Sequence, residues 1–164
     1  MKELASKCLR TNLRRNYDQV SASQHQLEGA ISNLFLGNWL AAMTLAGAAE
    51  DILPQPEQYP DMMSALSEVA ASQNTTKKIL VDVMNEKRNW LKHDKSNDPK
   101  ASQLQEFTQE DAVIMILRAF TRFAAHHMPI EPNEILSEQI FEFQKWLNIH
   151  YPEYSVPSLS GPNV

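Results

Sequence analysis

One six-residue run in this chain has the residue types for chemistry at a phosphate: Arg88-Asn89-Trp90-Leu91-Lys92-His93. Metal-free cleavage of RNA needs a base to take the proton of the 2′-hydroxyl and a cation to hold the charge growing on the phosphate. Histidine titrates near neutrality, and arginine presents a fixed, always-charged fork to phosphate oxygens. His93 is then the candidate base and Arg88 the clamp. Asn89 would position the phosphate or the histidine, and Lys92, with Lys87 and Lys95, would attract the nucleic-acid backbone. The spacing sets a condition, because residues five apart on one ideal helix point about 140° away from each other. The two converge only if the helix ends before His93, as Asp94-Lys95-Ser96-Asn97 suggests, or if a second copy completes the site. The alternative is a helix-end pair of cations with no catalytic part.

Other chemistries are poorly served. No Glu-x-x-His pair, no Gly-rich phosphate loop and no Gly-x-Ser-x-Gly elbow occurs. Cys8 is the only cysteine, which rules out an intramolecular disulfide and a Cys-based zinc site, and a core position is expected for it. His126 and His127 are neighbours, so on a helix they point about 100° apart and suit one metal badly. Each fits better as a last-turn residue facing the helix dipole. His25 and Glu28, one turn apart, read as a surface contact. Arg122 and His127 repeat the spacing of Arg88 and His93, but Phe123 follows the arginine and no basic cluster surrounds the pair. No metal and no cofactor is expected.

The elements that must carry these residues are helical. The chain of 164 residues has 43% hydrophobic and 21% charged residues and only four glycines, the balance of one globular domain rich in helix formers. An all-α bundle of five to six helices is expected over residues 1–150, with residues 151–164 a flexible tail marked by Pro152, Pro157 and Pro162. The apolar spacing predicts a first helix from Lys2 to Val20 and a long second one, capped by Ser21 or Ser23, reaching Leu53. Its stripe includes Leu27, Ile31, Leu34, Ala42 and Ala49, and Leu36, Trp39 and Met43 form a second apolar face. A short helix over Asp61–Ser72 follows. Asn74 is placed as the cap of a helix from Thr75 to about His93, with Ile79, Leu80, Val83, Trp90 and Leu91 inward. Asp94–Gln105 reads as a polar loop. Thr108 and Asp111 form a capping box for a helix to about Met128, with Val113, Ile116, Leu117, Phe120 and Ala124 inward. The last helix, Asn133 to about Ile149, buries Leu136, Ile140, Phe143 and Leu147.

Charge is segregated within a net −5. Lys2, Lys7, Arg10, Arg14 and Arg15 face only Glu3 near the start, and seven basic residues between Lys77 and Lys100 face four acidic ones. This pattern serves a polyanion partner or simply solvated helix faces. The apolar stretch Ala30–Ala49 is broken by Ser32, Asn33, Asn38 and Thr44, so a buried helix is expected rather than a membrane span. With no export signal read at the amino terminus, a cytoplasmic location is expected.

The order arginine, polar residue, three further positions, histidine resembles the motif of the HEPN superfamily, small helical bundles many of which are metal-independent ribonucleases. Taken with Thr44-Leu45-Ala46-Gly47-Ala48-Ala49-Glu50-Asp51-Ile52-Leu53 and with Asp94 and Asp98-Pro99, the motif is also similar to a group of small bacterial proteins, over roughly residues 5 to 150. The resemblance implies RNA as substrate, Arg88 and His93 as the catalytic pair, and a homodimer that pools two motifs in one cleft. Glu50 and Asp51 either pair with Arg88 and orient it or merely end their helix. The other readings are a non-catalytic module binding nucleic acid or protein, and a helical interaction protein with no nucleic-acid role.

Overall fold

The computed structural model describes residues 16–57, 61–63, 66, 70–71, 74–92, 106–127 and 137–154. Among them are five α-helices and no strand: α1 (Gln19–Phe35), α2 (Trp39–Ile52), α3 (Lys77–Lys92), α4 (Gln109–His127) and α5 (Glu138–His150). Residues 62, 63, 66, 70 and 71 are also helical, inside the short helix expected there.

α1 begins at Gln19, ahead of the Ser21 or Ser23 cap expected for the second helix. Residues 16–18 are not helical, so no helix runs through to Val20, and Asp18 is the cap, accepting from the Ser21 amide at 2.7 Å. That amide holds the Asp18 carboxyl below its ordinary range. Ser23, offered as a cap, is instead buried and donates to the Ala49 carbonyl at 2.9 Å, tying α1 to α2. The helix expected to run on to Leu53 breaks at Leu36-Gly37-Asn38. Gly37 takes φ 76°, its amide bonds to Leu34, and Asn38 bonds to Asn33, the pair of bonds that closes a Schellman cap. The chain reverses there, and α1 and α2 pack together through Leu27, Ala30, Ile31 and Leu34 and through Ala42, Met43, Ala46 and Ala49.

α4 is the central helix. Thr108 Oγ1 accepts from the Asp111 amide at 3.2 Å while Asp111 accepts from the Thr108 amide at 2.7 Å, the reciprocal box expected at its start. Val113, Ile116, Leu117, Phe120 and Phe123 are buried against α1 and α2, whereas Ala124 is only half-buried. α5 starts at Glu138 after a non-helical Ser137, not at Asn133, and buries Ile140, Phe143 and Leu147 as expected. The chain does not leave the bundle at Pro152. A 3-10 turn over Pro152–Tyr154 follows, and the Tyr154 hydroxyl donates to Glu110 at 2.7 Å.

α3 departs most from expectation. Its first turn is capped by Thr76, whose hydroxyl accepts from the Ile79 amide at 3.3 Å. Asn74, at φ 51°, ends the preceding helical segment instead. Ile79 and Val83, placed inward by their spacing, are 53% and 65% exposed, and no α3 residue is fully buried. Leu80, Trp90 and Leu91 are half-buried. The helix meets the bundle through Leu91 on the core, Trp90 on Phe107 at 5.7 Å, and the polar side chains of Asn85, Arg88 and Lys92, which leaves Ile79 and Val83 facing outward. The expected positions of Cys8, the Asp94–Gln105 loop and Leu136 lie outside the described residues, as do residues 155–164 of the expected tail.

Candidate functional site

α2 and α3 meet along the two segments that carry the sequence resemblance. Gly47 lies under the stem of Arg88: a Cβ at position 47 would stand 3.2 Å from Arg88 Nε and 3.7 Å from Cδ. The absence of a side chain there lets the arginine lie flat against α2. Its side chain is 14% exposed, and Nη2 donates to Asp51, one turn further along α2. Lys92, one turn after Arg88, donates to the other oxygen of the same carboxylate. Positions i and i+4 share a helix face, so convergence of Arg88 and Lys92 follows directly from their spacing. Partial burial by itself raises the Asp51 carboxyl. The Lys92 hydrogen bond and the Arg88 charge outweigh it and hold the group below its ordinary range. Arg88 Nε is buried without a hydrogen-bond partner.

The neighbouring carboxylate takes a different direction. Successive residues on a helix point about 100° apart, so Glu50 and Asp51 cannot serve one partner. Glu50 faces α4, not Arg88. It is 2% exposed and accepts from Arg118 Nε at 3.3 Å and Nη2 at 3.0 Å, with Arg122 Nη2 at 3.6 Å. Arg118, equally buried, reaches on to the Asn85 side chain at 2.9 Å and the Met84 carbonyl at 3.4 Å. Burial pushes its guanidinium below the ordinary value, opposed by the Glu50 charge. Arg122 completes the cluster through Asp61 at 3.0 Å and Gln55 at 2.8 Å. His126 Nε2 lies 2.9 Å from the Pro54 carbonyl, joining the end of α4 to the turn after α2. Arg118 and Arg122 were not legible as part of this region from the motif. The available signal was Arg118 itself, a lone charge inside the run Ile114 to Phe120.

The remaining candidates are scattered. Lys87 points to Asp111, below the α4 cap, with its ammonium 5.9 Å from the centre of the Phe107 ring. There too burial alone raises the Asp111 carboxyl, and the Lys87 hydrogen bond and the Thr108 amide bring it below its ordinary value. Asn89 lies about 100° around α3 from Arg88, in a shallow depression of about 360 Å³ with Asp82, Val83 and Glu86. It does not join Arg88 and Lys92. His93 and Lys95 lie outside the described residues. Among the described residues, no group of three His, Cys, Asp or Glu side chains is arranged to hold a metal ion, and no helix is long and apolar enough to cross a membrane. Compared with family models, curated proteins and solved structures, the chain matches none.

Proposed function

We propose that the chain acts on RNA as a metal-independent ribonuclease of HEPN type, with Arg88 and Lys92 holding a phosphate and His93 taking the 2′-hydroxyl proton. The observation that carries this reading is the convergence of Arg88 and Lys92 on Asp51, at the last turn of α3 and one residue before His93. Two cations share one carboxylate, which leaves a net positive charge, and of the two Lys92 is the more open at 36% exposure against 14% for Arg88. An arriving phosphate takes over both donors, and Asp51 aligns them until it does. A second copy brings its own Arg88 and His93 to the same cleft, as the resemblance implies.

The test is binding and cleavage of structured and unstructured RNA by the wild type and by Arg88→Ala, Lys92→Ala and His93→Ala, with circular dichroism as the folding control. Cleavage should disappear in the Arg88 and His93 variants, persist in a chelator, and weaken in the Lys92 variant. Binding should fall with salt and survive best in His93→Ala, which keeps both fixed charges. Equal cleavage in all four proteins overturns the assignment.

A second reading, a non-catalytic binding module, is favoured by the same ion pairs seen from the other side. Lys87 is held by Asp111, and Arg88 and Lys92 by Asp51, so carboxylates of the fold already neutralise much of the basic segment. Salt-sensitive RNA binding without cleavage by the wild type selects this reading.

A further inference from the structure

α2 lacks a polar face. Ala42, Met43, Ala46 and Ala49 are buried against α1 and α4. Leu40, Ala41, Thr44, Ala48 and Ile52 fall within about 120° of one another on the opposite side of the helix. The first three of these are exposed and the last two half-buried. No Asp, Glu, Lys, Arg or His occurs between Glu28 and Glu50. A helix that is apolar all round belongs inside a bundle, so this second side calls for a cover. We propose that residues 1–15 of the same chain are that cover, lying along α2 with Leu4, Cys8, Leu9 and Leu13 against it.

The point where the chain enters the bundle selects the occupant. Ser23 bonds to the Ala49 carbonyl, so the start of α1 stands beside the end of α2, and Asn16, just before α1, lies at that end. Asn16, Tyr17 and Asp18 are not helical, and connectors of about 2–5 residues are those that join antiparallel helices in a hairpin. A helix running back from this connector passes beside α2 from Ile52 toward Leu40. The lengths agree, because 15 residues span about 22 Å as a helix and Leu40 to Ile52 about 18 Å. The residue types agree too. On a helix Leu4, Ala5, Cys8, Leu9 and Leu13 share one half of the circumference, and Lys7, Arg10 and Arg14 stand together on the other, in water.

The other long stretches outside the described residues lack this pattern. Residues 93–105 are polar save Ala101 and Leu104, and the stretches at 128–136 and 155–164 each carry two prolines, through which a regular helix does not continue. A short connector also holds the segment beside α2 at an effective concentration on the order of millimolar, which favours it over a second copy arriving from solution.

Cys8 is the only cysteine, so its thiol reads the contact directly. The experiment is the rate of alkylation by iodoacetamide in the full chain, native and in urea, for the wild type, Ala41→Glu, Leu9→Glu and Val83→Glu, with circular dichroism as the folding control. A thiol held in an apolar contact is inert, so native wild type should react about tenfold or more slowly than the chain in urea. Ala41→Glu and Leu9→Glu place a charge on either side of the contact, and each should bring the native rate close to the urea rate. Val83→Glu, on the outward face of α3, should keep the wild-type protection. Ala41 and Val83 are exposed and Leu9 lies outside the described bundle, so the core is left intact. A wild-type thiol that reacts as fast natively as in urea overturns the proposal, and so does protection that persists in either Ala41→Glu or Leu9→Glu when folded. Protection lost in Val83→Glu overturns it by moving the contact to α3. Protection that grows with protein concentration overturns it in favour of a second copy, and protection that appears only with phosphatidylcholine–phosphatidylserine vesicles overturns it in favour of a membrane.

Discussion

Substituting Glu50 by alanine tests whether the ions between α2, α3 and α4 are held by one another or merely coexist. The carboxylate accepts from two nitrogens of Arg118 and stands near a third from Arg122, with both Glu50 and Arg118 2% exposed. Removing it strands a guanidinium that water cannot reach. Breaking a buried pair from one side costs about 3–5 kcal/mol. Here the lower figure applies, because Arg118 keeps its bonds to Asn85 and to the Met84 carbonyl. About 3 kcal/mol in a domain of this size lowers Tm by about 6–12 °C. The companion variant, Glu50→Leu with Arg118→Met, removes both charges and keeps the volume, so it should lie within about 1 kcal/mol of wild type or above it. Urea denaturation of all proteins, with m unchanged, supplies the comparison. A Glu50→Ala protein as stable as wild type, or a double variant less stable than the single one, refutes the reasoning.

Three further outcomes are expected from local contacts. Asp51 and Asp111 both titrate below the ordinary carboxylate range, so the stability they contribute is present above the unfolded value near pH 4 and is lost as pH falls through the lower folded values. Acid titration of Tm should show that loss, and Asp111→Asn should flatten it more than Asp51→Asn, because the Asp111 side chain is the less exposed of the two. Ser23→Ala removes the buried bond to Ala49 and should cost about 1–2 kcal/mol in urea, an effect absent if water replaces the hydroxyl. Gly37→Ala, in open space but at φ 76°, should cost about 1 kcal/mol from the left-handed backbone alone.

What the sequence disclosed depended on how far apart the deciding residues stand. The Thr108–Asp111 box was legible because a cap is written within four positions, and the inward faces of α4 and α5 were largely legible because their burial follows the apolar spacing. The break at Gly37 was not, since a glycine inside a helical pattern costs only about 1 kcal/mol and does not announce a reversal. Only the packing of α1 on α2 makes the turn pay. The rotation of α3 was hidden for the same reason at longer range. Ile79 and Val83 belong to the apolar stripe, yet the side of α3 that meets the bundle carries Leu91 together with Asn85, Arg88 and Lys92, whose hydrogen-bond partners are 33 to 41 positions away. Periodicity cannot weigh those bonds. Whether Glu50 and Asp51 pair with Arg88 or end their helix stayed open in the sequence, because adjacent positions on a helix face different neighbours, Asp51 meeting Arg88 and Glu50 meeting Arg118.

Gly47 ties the two resembling segments together and allows the arginine's placement to be tested apart from stability. With a Cβ at 3.2 Å from Nε, 3.7 Å from Cδ and 3.8 Å from Cγ, the obstacle is the side chain of Arg88 and not backbone. Gly47→Ala therefore needs a shift of a few tenths of an ångström in a long, jointed stem. The same change gains about 1 kcal/mol of helix propensity in the middle of α2, so its net effect on stability should be close to zero. Gly47→Leu is different, because no small adjustment of Arg88 accommodates a branched side chain beneath it. The guanidinium must lift from α2, which separates it from Asp51 and from Lys92. If that convergence is what holds a phosphate, Gly47→Leu should lose RNA affinity as fully as Arg88→Ala, while Gly47→Ala keeps most of it. Filter binding at several salt concentrations reads the difference, and the salt slope should fall by about one in both impaired variants, as one phosphate contact is lost. Wild-type affinity in a folded Gly47→Leu protein would show that the site does not depend on where α2 places Arg88.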